Sequence, residues 1–207
     1  MTKIRSFLAF DIPPEVKQKL SRLISDFSKK EKGVKWLNAS LLHVTMKFFG
    51  DVEEELLMGD IVDSIGSVTS SCAPVSLDCQ GLGVFPNWKY PNVIWAGFLG
   101  DVELVLSMQA ELEKALAKYP IKKDDRAFRL HLTIGRAKEL KSTSLLMKQI
   151  NELGPISFGK VVIDHLTLYK SVLTKEGSVY TALKKFDLKK DEARNRKSDV
   201  RSQTSDT

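Results

Sequence analysis

The chain has 207 residues, a formal net charge of +6 and a pI of about 9.2. That length can bury a sizeable core, either as one large domain or as two small, closely joined lobes. With 43% hydrophobic and 28% charged residues it has the composition of a soluble globular protein, and no apolar stretch approaches the roughly 20 residues of a membrane span. The basic excess is compatible with a polyanionic partner without specifying one. Cys72 and Cys79 are too few, with no histidine close by, for a zinc ribbon or a disulfide scaffold. They read as idle thiols of a reducing cytoplasm, and no cofactor is expected. The N-terminal residues lack the apolar core of a signal peptide and read as a first strand.

In chain order, "IRSFLAFDI" (4–12) is an aromatic and aliphatic strand. Pro13 and Pro14 then open a helix, since proline is tolerated in a first turn. Val16, Leu20, Leu23, Ile24 and Phe27 recur at three- and four-residue intervals and give that helix one apolar face. "HVTMKFFG" (43–50) is a strand ending at Gly50, and a helix follows over about 53–68. "VSLDCQGLGVF" and "NVIWAGFL" are strands joined by the turn-rich "PNWKYP". Leu104, Met108, Leu112 and Leu116 mark another amphipathic helix, which leads to "HLTIGR". A helix near 143–153 and strands at about 158–170 and 178–186 complete the core. Residues 188–207 are polar and aperiodic and read as a disordered tail, leaving 1–187 as the folded domain.

A shift of 88 residues lays the chain on itself. His43 falls on His131 and Thr45 on Thr133. Phe7, Ala9 and Phe10 fall on Trp95, Gly97 and Phe98, and the helix positions Val16, Leu20 and Ile24 on Leu104, Met108 and Leu112. Strand, helix and His-x-Thr strand recur without a gap. The expected fold is α+β, with two pseudo-symmetric lobes, each an antiparallel sheet packed with helices, and a cleft between them. The third histidine, His165, also lies in a His-x-Thr pattern, but the shift carries it to Leu77, in a strand without the motif. His43 and His131 are therefore the pair, and His165 is not expected to act as acid or base.

On a strand, residues i and i+2 share a face, so each motif presents an imidazole beside a hydroxyl. Two imidazoles across a cleft can divide phosphodiester chemistry: one takes a proton from the nucleophile and the other gives one to the leaving oxygen. Two threonine hydroxyls can donate to the non-bridging oxygens as charge grows there. The scheme requires no metal, and no His/Asp/Glu cluster has ligand spacing. A single His-x-Thr is most often a partly buried polar pair; two in matched repeat positions are a stronger signal.

With "RSFLAFDIP", "VKWLNASLLHVTMKFFGDV", "GLGVFP", "VIWAGF", "FRLHLTIGRAK" and "LYKSVL", the sequence resembles the 2H phosphoesterase superfamily over about residues 4–183. Within it, the likeness is to the RNA 2′,3′-cyclic phosphodiesterases, also known as bacterial and archaeal 2′-5′ RNA ligases. The resemblance implies the LigT-like fold and hydrolysis of a terminal 2′,3′-cyclic phosphate to a 2′-phosphomonoester. It makes His43 the proton donor and His131 the acceptor, with Thr45 and Thr133 holding the phosphate. The implied partner is RNA bearing such ends, for example tRNA fragments or short oligonucleotides; no membrane or obligate protein partner is expected.

Four further residues are candidates for substrate binding. Lys47, two beyond Thr45, is expected on the same strand face. Arg136 can reach the site if the chain bends after Gly135. Trp36 could stack on a base or pack beneath a loop. Tyr169 shares a face with His165 and Thr167, and "NWKY" (87–90) is a further possible single-strand RNA platform. Two alternatives stand beside hydrolysis: 2′-5′ ligation to a 5′-hydroxyl end, and a non-catalytic basic RNA-binding module.

Overall fold

The computed structural model describes residues 2–122, 127–138, 143–175 and 177–189. Its strands are β1 (Lys3–Asp11), β2 (Val34–Trp36), β3 (His43–Glu53), β4 (Val75–Phe85), β5 (Val93–Gly100), β6 (Leu132–Ala137), β7 (Ser157–Ile163), β8 (His165–Thr174) and β9 (Gly177–Asp187). The helices are α1 (Pro14–Lys30), α2 (Glu54–Leu56), α3 (Val62–Thr69), α4 (Val102–Leu116) and α5 (Ser144–Leu153). One antiparallel sheet has the order β3-β1-β8-β9 and the other β2-β6-β5-β4-β7. A single apolar cluster, running from Ile4 to Leu188, joins the two sheets and the helices. No described helix is long and apolar enough to cross a membrane.

The repeat is visible in the strand orders. Under the 88-residue shift β1 corresponds to β5, β3 to β6 and β4 to β8, so β3-β1-β8 matches β6-β5-β4. The third strands are exchanged. β4, from the first repeat, pairs with β5 of the second, while β8 crosses back to pair with β1. The lobes are therefore not one repeat each, as the simple reading of the duplication suggests. The strand expected at 158–170 is accordingly two: β7 stays with β4, the chain changes sheet at Asp164, and β8 joins β1.

Each motif strand carries a bulge at the same repeat position. In β3, Thr45 pairs with Ala9 and Lys47 with Leu8, so Met46 is the additional residue. In β6, Thr133 pairs with Trp95 and Gly135 with Ile94, so Ile134 is additional. A bulge resets the two-residue alternation of side chains. Met46 and Lys47 both turn inward and Phe48 outward; Ile134 and Gly135 are buried while Arg136 is exposed.

Smaller departures have local causes. β2 has three residues, too few for alternation to reveal it. The helix expected at 53–68 is interrupted around Gly59, whose φ of −98° and ψ of −105° are not helical. In α4, Val105 and Met108 face the core and Leu104 is exposed, because the buried stripe is offset by one residue at its start. Leu188, assigned to the tail by sequence, is buried, and its N–H donates to Asp164 O at 2.8 Å. The rest of that stretch, from 190, lies outside the described residues.

Gly135 marks the tightest point beside the second bulge. A Cβ there would lie 2.8 Å from Val34 Cγ1 and 3.0 Å from the Trp36 ring. Gly135→Ala is expected to lower stability by about 1–3 kcal/mol through overpacking, measured as a lower urea midpoint at unchanged slope.

Candidate active site

His43 opens β3 just after a 3₁₀ turn (Ala39–Leu41), which Asn38 caps by accepting from Ser40 N at 3.0 Å. Its Nδ1 lies 2.8 Å from Leu41 O. His131 precedes β6 and its Nδ1 lies 2.7 Å from Arg129 O. The two bonds are equivalent under the repeat. A carbonyl only accepts, so Nδ1 carries the hydrogen in both neutral rings, and Nε2 is left as the basic nitrogen. β3 and β6 belong to different sheets, yet their Cα atoms approach within 8 Å. Thr45 and Thr133, each two residues beyond its histidine, are half-buried.

The two histidines stand in chemically different surroundings. Phe7 of β1 stacks on His43 with ring centroids 4.7 Å apart, and Tyr169 stacks on Phe7 at 5.4 Å. Tyr180 meets both Phe7 and His43 edge-on, at 5.0 and 5.3 Å. Phe48, turned outward by the bulge, is 52% exposed and 5.9 Å from Phe7. Around His131 the aromatic contact is the edge of Phe85 at 5.0 Å, backed by Trp95. The Arg129 guanidinium lies 5.5 Å from the Phe85 centroid.

Burial lowers both imidazoles below the ordinary histidine value, because it disfavours the charged form. Near His43, the Leu41 carbonyl and the Asp11 carboxylate oppose that effect, and Lys17 adds slightly to it. Near His131, the Arg129 carbonyl opposes it, whereas the Arg136 charge pushes the same way as burial. The first histidine thus has an anion in support and the second a cation against it.

Arg136 sits on its exposed side because of the Ile134 bulge, a bend one residue earlier than expected. Tyr169 sits beside His43 through Phe7, and its hydroxyl lies 2.9 Å from each Asp11 oxygen. Burial, followed by that carboxylate, pushes the phenol up to about 12, so it remains a donor.

Two expectations need correction. Lys47 does not share the face of Thr45. It is 3% exposed and its Nζ lies 2.9 Å from Glu113 on α4, with Lys122 O also in reach at 3.4 Å. The bulge at Met46 is the cause. Trp36 does not offer its indole to a base: it packs edge-on against Phe27 of α1, its Nε1 donates to Glu31 O at 3.1 Å, and its ring covers Gly135.

Phe7, Phe48, Tyr180, Phe85, Asp11 and Arg129 were not foreseen as site neighbours. Phe7 and Asp11 follow from strand alternation once β1 is paired with β3, but Phe48 requires knowledge of the bulge. In the 87–90 turn, Trp88 packs partly into the core while Tyr90 is 65% exposed with Lys89 over its ring. Among the described residues no three His, Cys, Asp or Glu side chains form a group able to hold a metal ion.

Comparison with known proteins bears on the fold and the family. A Thermus thermophilus crystal structure (TT0787) superposes with a TM-score of 0.73 at 27% identity, covering 91% of this chain and 100% of that one. Escherichia coli LigT, crystallised with 3′-AMP, shares the fold with a TM-score of 0.69 at 21% identity, over 90% of this chain and 98% of its own. A protein of Methanocaldococcus jannaschii called RNA 2′,3′-cyclic phosphodiesterase is 33% identical over 183 residues, 88% of this chain and 100% of the relative. One of the same name from Methanothermobacter thermautotrophicus is 31% identical over 186 residues, 90% of this chain and 100% of the relative. The family model described as the 2′-5′ RNA ligase superfamily matches residues 10–174. The fold and its paired His-x-Thr strands thus define a bilobal 2H phosphoesterase. More narrowly, the chain belongs to the 2′-5′ RNA ligase superfamily.

The Lys47–Glu113 pair ties the motif strand of one repeat to a helix of the other. Lys47→Ala removes its cation and opens a cavity, and is expected to cost about 3 kcal/mol of stability. Equilibrium urea unfolding followed by tryptophan fluorescence checks this.

Proposed function

We propose that the protein hydrolyses the 2′,3′-cyclic phosphate end of RNA to a 2′-phosphomonoester, with His43 as proton donor and His131 as acceptor. The observation that carries this reading is the pair of equivalent imidazoles on approaching strands, each fixed through Nδ1 to a carbonyl two residues back. The relatives that share the full length of the fold are named for this activity. The unequal electrostatics favour the assignment of roles. Asp11 helps His43 hold a proton, and Arg136 helps His131 stay neutral.

In the reaction, Nε2 of neutral His131 takes a proton from water as the water oxygen bonds to phosphorus. The bond from phosphorus to the 3′ oxygen breaks, and that oxygen receives the proton from Nε2 of His43. The products are a 2′-phosphate and a free 3′-hydroxyl. Thr45 and Thr133 donate to the non-bridging oxygens, and the cations Arg136 and Arg129 favour the phosphate on the side of the second lobe. The terminal nucleoside then lies toward the aromatic first lobe, where Phe48 offers an exposed ring. A substrate read at its terminal nucleotide suits short oligonucleotides or tRNA fragments, and a cytoplasmic location fits such a substrate. A 5′-hydroxyl replacing water would give the 2′-5′ linkage instead. Water, at about 55 M, is favoured unless that hydroxyl is positioned against it.

His43→Ala and His131→Ala are each expected to lower kcat on a 2′,3′-cyclic nucleotide by about 10²–10⁴. Turnover by the wild-type protein is expected to persist in EDTA; loss restored by a divalent cation would overturn the two-histidine scheme. The pH profile of kcat/KM should rise as His131 loses its proton and fall as His43 loses its own. Burial holds His131 low and the Arg136 charge adds to it, so Arg136→Gln should move the acid limb to higher pH.

A further inference from the structure

Beside the motif histidines lies a second group of titratable side chains that the proposed reaction does not use. Asp11 is the β1 residue paired with His43. Its carboxylate is bonded by the Tyr169 hydroxyl, 2.9 Å from each oxygen. His165 Nε2 lies 3.9 Å from Oδ2 of the same group, and His165 Nδ1 is bonded to Asp164. Tyr169 and His165 both belong to β8, the strand exchanged from the other repeat. Tyr169 also stacks on Phe7, the ring that stacks on His43.

We propose that Asp11 is a positioning residue for His43: held by Tyr169 and flanked by His165, its carboxylate favours the protonated His43 that gives its proton to the departing oxygen, against the burial that disfavours it. The proposal rests on the reading of His43 as the donor. It gives the third histidine a place in the site without making it an acid or base, because its neighbour is a carboxylate rather than a phosphate position.

Among the described residues, the charges bearing on this group come from α1, β9 and the connection before β8. Lys17 of α1 acts on His43 in the opposite sense to Asp11. Asp187 of β9 is paired with His165 in the sheet, and Lys185 lies 3.6 Å from Asp187. Asp164, on the connection before β8, is held below the usual carboxylate range, first by its hydrogen bond to His165. The Asp11 side chain is 38% exposed, so water screens its influence and the effect on His43 is moderate.

The test is a proton NMR titration of the free protein. The chain has three histidines, so three Cε1–H signals can be assigned with single His→Gln variants. Asp11→Asn keeps the size of the side chain and an acceptor for Tyr169 but removes the charge. It is expected to lower the His43 pKa, because the supporting charge is gone while the burial remains. The alkaline limb of kcat/KM for a 2′,3′-cyclic nucleotide should move down by the same amount. Asp11→Glu should retain most of the wild-type value, and His165→Gln should leave the His43 pKa unchanged or raise it. An unchanged His43 pKa in Asp11→Asn overturns the proposal. So does an equal fall in His165→Gln, which would trace the shift to a disturbed sheet rather than to the Asp11 charge. Absence of turnover in the wild-type protein would strike the functional reading alone, since the titration needs no substrate.

Discussion

Strand β8 hydrogen-bonds to β1 from Ser6 to Ala9, although the two lie near opposite ends of the described chain. This pairing sets the composition of the site. It puts Tyr169 and His165 beside Phe7 and Asp11, and through them beside His43. Its counterpart, β4 against β5, puts Phe85 and Trp95 beside His131. Each histidine therefore sits on a strand of its own repeat and is lined by a strand of the other. A duplication that kept its third strands at home would have built two independent sheets with no shared environment at the junction.

Within that frame, a one-residue irregularity decides which side chains reach the cleft. The bulges at Met46 and Ile134 recur at equivalent repeat positions, yet they deliver different chemistry. The first turns Phe48 outward and Lys47 into an ion pair with Glu113. The second turns out Arg136 and buries a glycine under Trp36. The same backbone device thus makes one wall aromatic and the other cationic. Near-symmetry of the backbone supplies two equivalent imidazoles, and asymmetry of the flanking residues lets one favour its proton and the other release it.

Much of this was legible in the sequence, and the failures share a cause. The helix faces of Val16, Leu20 and Ile24 and the paired motifs at 43 and 131 follow from periodicity and from the repeat, both of which are local or in fixed register. Period-two alternation places Lys47 beside Thr45 because it runs straight through a bulge that no residue type at Met46 announces. The stretch 158–170 reads as one strand for a similar reason. Both halves are apolar and alternating, and only the pairing partners, far away in sequence, show that the chain changes sheets at Asp164. The sequence leaves Trp36 open between stacking and packing; the small residue opposite it, Gly135, leaves room for its ring against β6.

The exchanged strands also bear on how the molecule comes apart. Detaching β8 strips the first sheet of an internal strand and exposes the apolar side chains of Leu166 and Leu168, while β4 remains bound to β5 through residues of the opposite repeat. Neither half can melt and leave the other intact, because each half completes the other's sheet. The exchange thus favours cooperative unfolding over the loss of lobes in turn. A half-length chain carrying a single motif would lack the internal strand its sheet takes from the other repeat, and would have to fill that place with its own third strand or with that of a second copy.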